Sequence, residues 1–166
     1  AAWEIIQAMG TNKPMLRLLQ GDVGSGKTVV AAMAALHVVM NKKQTAMMVP
    51  TEILAAQHFK TFTEKLFLQS DISIALQTRN YHRVRFSNGV IQDVTKKELL
   101  ELIAQGAVGI IIGTHALIQE GVTFPSLGLV VIDEQHRFGV EQRGLLTAKV
   151  GEKAMPHLLS MTATPI

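Results

Sequence analysis

The string "GDVGSGKT", residues 21–28, constrains this chain more than any other part of it. Gly21, Gly24 and Gly26 crowd into one short loop, which passes directly into a lysine, a threonine and an apolar run. Glycine opens positive φ and lets main-chain N–H groups approach a neighbour closely, so such a loop curls around something rather than merely reversing the chain. Upstream, "MLRLLQG" (15–21) reads as a strand; downstream, 27–41 reads as a helix. Strand, glycine loop and helix N-terminus in that order make an anion-binding turn, because the free N–H groups of the first helical turn face the loop.

The loop fits G-x-x-x-x-G-K-[ST] in full, the pattern that cradles a nucleoside triphosphate. On that reading Gly21, Asp22, Val23, Gly24, Ser25, Gly26, Lys27 and Thr28 wrap ATP. Lys27 supplies a point charge to the β- and γ-phosphates, and the Thr28 hydroxyl ligates Mg²⁺. The plain alternative is a glycine-rich turn with a surface lysine. The strand before and the helix after favour the nucleotide.

Further strand candidates are "TAMMVP" (45–50), "ISIAL" (72–76), "VGIIIGT" (108–114), "LGLVVIDE" (127–134) and "HLLSMTA" (157–163). Several are apolar at consecutive positions, as in strands covered on both faces. Helical patterns fall between them at roughly 27–41, 51–67, 95–105 and 139–149. The alternation predicts a doubly wound α/β fold with a mostly parallel sheet, helices on both faces and the strand C-terminal ends on one edge. "YHRVRFSNGVIQD" (81–93) breaks the rhythm, and its "NG" predicts a small surface hairpin. At 166 residues, 48% apolar and 17% charged, the chain has one domain's worth of core. Without cysteine it has neither disulfides nor thiolate metal sites. No apolar run reaches the roughly 18 residues of a membrane span. The net charge of +3 and pI of about 9.3 are compatible with a polyanionic partner but weak for a dedicated nucleic-acid-binding module. The N-terminus shows no basic leader, and both ends read as cuts in a longer protein.

A phosphate loop needs carboxylates at the end of a neighbouring strand. "LGLVVIDEQH" offers Asp133 to hold Mg²⁺ and Glu134 to orient and polarise the attacking water. The second acid argues for hydrolysis. A GTPase would need an N-K-x-D motif, and "NKKQ" (41–44) and "TKKE" (95–98) do not qualify. Neither small-molecule acceptor motifs nor an LSGGQ-type transporter signature is found.

"GDVGSGKT", "VPTEILAAQHF", "IGTHALIQ", "VVIDEQHRFGVEQR" and "MTATPI" stand in the order found in superfamily 2 helicases and translocases, and nearly the whole chain resembles that family. The string "DEQHRFGV" resembles the branch that remodels stalled replication forks and branched DNA in recombination and repair. The branch that couples transcription to repair more usually has a second glutamate at Gln135 and a bulkier residue at Ser25. The resemblance implies a single RecA-like, ATP-binding motor lobe over 1–166, belonging to a bacterial cytoplasmic, nucleoid-associated DNA helicase. A wedge domain and a second motor lobe would be its partners in the same longer chain. Without the second lobe's arginine the chain alone is expected to be nearly inactive.

The resemblance also implies roles by position. Lys27, Glu134, Gln135 and His136 would serve catalysis. Gln135 and His136 would couple the ATP site to Thr162, Ala163 and Thr164. Pro50, Thr51 and Glu52, with Gly113, Thr114 and His115, would line the DNA path. Read without the family, "PTEILAAQ" is only a helix N-terminus capped by Thr51, and His115 and His136 are core-edge histidines. His37 and His58 read as helix-surface or core residues without a role. The family's compact "TG" motif is missing, and Thr78 and Arg79 stand nearest to it. Arg79, Arg83 and Arg85, with Tyr81 and Phe86, offer either an extra nucleic-acid contact or a solvated hairpin. A stand-alone ATP-binding regulatory module is the remaining alternative.

Overall fold

The computed structural model describes residues 2–11, 13–21, 26–119, 121–133 and 156–162. Among these, four α-helices, α1 (Ala2–Met9), α2 (Lys27–Met40), α3 (Glu52–Thr61) and α4 (Lys96–Ala104), alternate with strands. The strands are β1 (Leu16–Gln20), β2 (Gln44–Met48), β3 (Ile74–Gln77), β4 (His82–Arg85), β5 (Ile91–Asp93), β6 (Ile110–Gly113), β7 (Leu127–Asp133) and β8 (His157–Thr162). They form one sheet in the order β1-β8-β7-β2-β6-β3-β4-β5. Every pairing from β1 through β3 is parallel, and β4 and β5 add antiparallel to that end. The expected helix 139–149 lies outside the described residues.

Consecutive apolar residues are explained by a core on each face. Met47 and Val49, Ile110 and Ile112, and Leu129 and Val131 point into one cluster with Ala31, Ala35 and Val38 of α2 and Ala55 and Phe59 of α3. Ala46 and Met48, Ile111, and Val130 and Ile132 point into the other, against Leu99 and Ile103 of α4 and Leu117 and Phe124. Each fully buried Ile or Leu contributes about 1.5–3 kcal/mol, so both faces of these strands are predominantly apolar.

Local chemistry starts and stops the helices. Thr51 caps α3 by accepting the Leu54 N–H at 3.2 Å. Thr95 and Glu98 form a reciprocal capping box on α4. The helix expected over 51–67 changes pitch at Phe62–Leu66, a π turn in which the Phe67 N–H reaches the Phe62 carbonyl. The Thr63 hydroxyl donates back to the Phe59 carbonyl at 2.9 Å, a bond that loosens the regular ladder.

The 81–93 hairpin forms, with Gly89 at φ +90 in its turn, but it is no detached excursion: β4 pairs along the whole of β3 and extends the sheet. Arg85 is buried, 3% exposed, and donates to the Ile72 carbonyl at 2.8 Å and the Leu68 carbonyl at 3.0 Å. Arg83 is paired with Asp93 at 2.7 Å. Of the two readings left open for these arginines, a nucleic-acid contact or a solvated hairpin, neither describes Arg85, whose charge is spent on carbonyls under the sheet edge, and Arg83 is engaged by its own hairpin partner.

Candidate functional site

Parallel pairing sets the ends of six strands side by side. Across this edge the register runs Gln20 to Thr162, Met161 to Asp133, Ile132 to Met48, Met48 to Gly113 and Gly113 to Gln77. Residues from distant parts of the chain thus share one rim, with Thr162 on the strand between the glycine loop and Asp133.

At the loop, Gly26 sits at φ 86, a left-handed conformation that only glycine adopts freely, and α2 opens at Lys27 without a side-chain cap. The first turn of α2 therefore presents main-chain N–H groups and the positive end of the helix dipole to the rim. Lys27 Nζ donates to the Gly21 carbonyl at 2.7 Å and to the Thr162 carbonyl at 3.0 Å. An ammonium has three donors, and among the described residues these two carbonyls are the acceptors that it meets. The Gly21 N–H also reaches the Thr162 carbonyl, at 3.3 Å, which ties the ends of β1 and β8 together. Thr28 follows in the first turn of α2. Asp22, Val23, Gly24 and Ser25 lie outside the described residues, as do Glu134, Gln135, His136, Ala163 and Thr164.

Asp133 ends β7 almost buried, 7% exposed. Its Oδ2 stands 3.5 Å from Nε2 of His58, on α3, and both side chains are largely enclosed. His58, read from the sequence as a helix-surface or core residue, is largely enclosed, and α3 packs so that its imidazole faces the carboxylate. A lone histidine in a helix carries no signal of such a contact. Thr28 and Asp133 offer hard oxygen donors, and the described residues hold no cluster of three or more His, Asp or Glu suited to a metal. That donor set fits Mg²⁺, which takes one or two protein oxygens and completes its shell from phosphates and water.

Further along the rim, Pro50 and Thr51 connect β2 to α3. The Thr51 hydroxyl accepts the Leu54 N–H, and its own proton remains to be donated. Glu52 accepts from the main-chain and side-chain nitrogens of Asn80 at 3.1–3.2 Å. The Asn80 side chain holds the Glu52 carboxyl below the usual carboxylate range. Thr78 is fully buried, its hydroxyl accepting the Tyr81 N–H at 3.0 Å, so it shapes the turn that Glu52 clasps. Gly113 ends β6 where a Cβ would lie 2.1 Å from the Gln77 carbonyl oxygen; glycine is required by the close approach of β3. Thr114 precedes the short 3-10 turn His115–Ile118, its carbonyl accepting the Leu117 N–H, and His115 is exposed at the rim.

The DEAD/DEAH box helicase family model matches residues 2–166. The chain is 50% identical over 161 residues to the ATP-dependent DNA helicase RecG of Mycobacterium bovis, covering 95% of this chain and 21% of that one. It is 51% identical over 163 residues to RecG of Streptococcus pneumoniae, covering 98% of this chain and 22% of that one. A solved structure of RecG bound to a three-way DNA junction superposes with a TM-score of 0.78 at 43% identity, over 99% of this chain and 20% of that one. The DEAD-box helicase Mss116 shares the fold, with a TM-score of 0.70 at 14% identity. The architecture is thus the RecA-like motor fold, and the chain spans about a fifth of the length of the RecG relatives it matches.

Proposed function

The chain belongs to the DEAD/DEAH box helicase family, and we propose that it is the ATP-binding and ATP-hydrolysing motor lobe of a RecG-type DNA helicase that acts on branched DNA and stalled forks. One observation carries the reading. Lys27 bridges the end of β1 to Thr162 on β8, one strand away from Asp133, so the phosphate loop, the coupling strand and the metal carboxylate meet on one rim.

Loop N–H groups and the α2 N-terminus hold the phosphates, and the Lys27 ammonium meets the γ-phosphate. Thr28 and Asp133 would hold Mg²⁺, which would supply positive charge to the triphosphate. Glu134 takes a proton from water as its oxygen attacks the γ-phosphorus in line, and ADP leaves with the bridging oxygen. Gln135 and His136 sense the change and pass it to Thr162, Ala163 and Thr164. Thr51, Thr114 and His115, with the main chain of Pro50 and Gly113, face the DNA backbone along the same rim. Glu52 serves that path by clasping the 78–81 turn, not by touching phosphate. The wedge domain and second lobe of the longer chain complete the engine in the bacterial cytoplasm, the second lobe supplying an arginine to the γ-phosphate.

The test is Glu134→Gln in the full-length helicase. The amide preserves shape but cannot accept the proton, so ATP affinity stays and turnover falls by about 10²-fold or more. Near-parental turnover on forked DNA would remove Glu134 from this role.

A further inference from the structure

We propose that His58 positions the Asp133 carboxylate for Mg²⁺ and makes α3 the mechanical link between the DNA-facing rim and the metal. The inference rests on the reading of Asp133 as the metal carboxylate and gives a role to His58, which the sequence reading left without one.

A nearly buried carboxylate needs a partner that compensates its desolvation and fixes its rotation. On the described residues that partner is the imidazole of His58, with Nε2 3.5 Å from Oδ2 and side-chain exposures of only 14% for His58 and 10% for Asp133. A shift of a few tenths of an ångström completes a hydrogen bond. Such a bond would engage Oδ2 and turn the other oxygen toward the cation or its water. Partners of this kind, held behind a ligating group, set its orientation and its affinity for the metal.

The helix that carries His58 gives the contact a second consequence. Thr51, the N-cap of α3, is a proposed DNA contact, and Glu52 clasps the 78–81 turn. His58 lies on the same helix, about 10 Å along its axis from Thr51 at 1.5 Å per residue. Ala55 and Phe59 anchor α3 in the core, and its unbroken turns from Glu52 to Thr61 would carry a displacement at one end to the other. A phosphate drawn onto the N-terminal end of α3 displaces His58, and with it the Asp133 carboxylate.

The experiment uses the full-length helicase with Asp133→Asn, His58→Met and His58→Gln. Met fills the volume without a donor; Gln places an amide nitrogen where Nε2 stood. Mn²⁺ affinity of the complex with a non-hydrolysable ATP analogue is read by paramagnetic resonance of free Mn²⁺, with and without forked DNA. Nucleotide affinity is read separately in EDTA. We expect His58→Met to weaken Mn²⁺ about tenfold, the low end of effects from such supporting residues, with unchanged nucleotide affinity in EDTA. His58→Gln should stay within about twofold of the parent, since it restores the donor. Forked DNA should shift Mn²⁺ affinity in the parent and not in His58→Met. Parental Mn²⁺ affinity in His58→Met, beside a loss in Asp133→Asn, overturns the positioning role while sparing the metal reading. His58→Gln as impaired as His58→Met also overturns it, because the defect then follows shape rather than the donor. An equal DNA shift in parent and His58→Met overturns the link through α3. Unchanged affinity in Asp133→Asn overturns the metal reading, and this inference with it.

Discussion

Replacing Lys27 by Met should cost the lobe two separate things. The first is nucleotide binding, as for any phosphate-loop lysine. The second is stability without nucleotide, because the ammonium joins the Gly21 and Thr162 carbonyls at 2.7 and 3.0 Å. A hydrogen bond from a charged donor is worth about 1.5–3 kcal/mol when buried. Lys27 is half-buried, so water recovers much of that for the two carbonyls. We take about 1–2 kcal/mol for the pair, out of a total of about 5–15 kcal/mol for a domain. With a urea slope of about 2 kcal/mol per molar, the unfolding midpoint should fall by roughly 0.5–1 M. Lys27→Arg separates the two effects: it keeps a cation on the carbonyls but presents a planar fork to the phosphate. The assay is urea unfolding of the three proteins without nucleotide, beside binding of a fluorescent ATP analogue. A Lys27→Met midpoint equal to the parent's would show that the clasp contributes nothing. Parental nucleotide affinity would refute the phosphate reading itself.

Gly113→Ala should lose about 3 kcal/mol or more, since a Cβ would stand 2.1 Å from the Gln77 oxygen and the β3–β6 ladder must part to admit it; a loss under about 1 kcal/mol in chemical denaturation would refute the close approach. Thr45→Val should be neutral or stabilise by about 1 kcal/mol, because the Thr45 hydroxyl oxygen is buried without a hydrogen-bond partner; a clear fall in melting temperature would show that it has one. His157 accepts the Met15 N–H at Nδ1, and burial first, then the nearby Lys43 charge, push its pKa down. The unfolded imidazole therefore takes a proton that the folded one refuses. Its contribution is complete above about pH 6.5 and is lost as pH falls from there toward the folded value. His157→Asn, which keeps an acceptor, should make the stability–pH slope shallower below about pH 6.5; an unchanged slope would acquit His157.

Much of this was legible in the sequence because periodicity and motif chemistry are local. The apolar runs marked β2, β6, β7 and β8 to within a few residues, since strands buried on both faces tolerate little else. Lys27, Thr28 and Asp133 could be singled out because a phosphate loop demands a fixed spacing and an acid at a strand end. The π turn after α3 was missed, because Thr63 in a helical pattern looks ordinary until its hydroxyl turns back on Phe59. Arg85 looked like surface because arginine usually is; its burial depends on the 68–72 loop folding over the sheet edge to offer two carbonyls. The His58–Asp133 contact was illegible for the same reason: it is made by the packing of a helix against a strand far away in sequence.

The rim shared by six strand ends has a consequence for how such a site can change. Neighbouring strands stand about 4.8 Å apart, so the line from Gln20 to Gln77 spans roughly 24 Å in five steps. Along each strand the only positions open to a residue are separated by about 3.3 Å, and successive ones face opposite ways. A slip of one residue in β7 would turn Asp133 from one face of the sheet to the other, and a slip of two would carry it about 6.6 Å along the strand from its present place. No gradual adjustment lies between these positions. The site is written in whole residues, like teeth on a rack, and fine tuning is left to the side chains that lean on the rim from the helices.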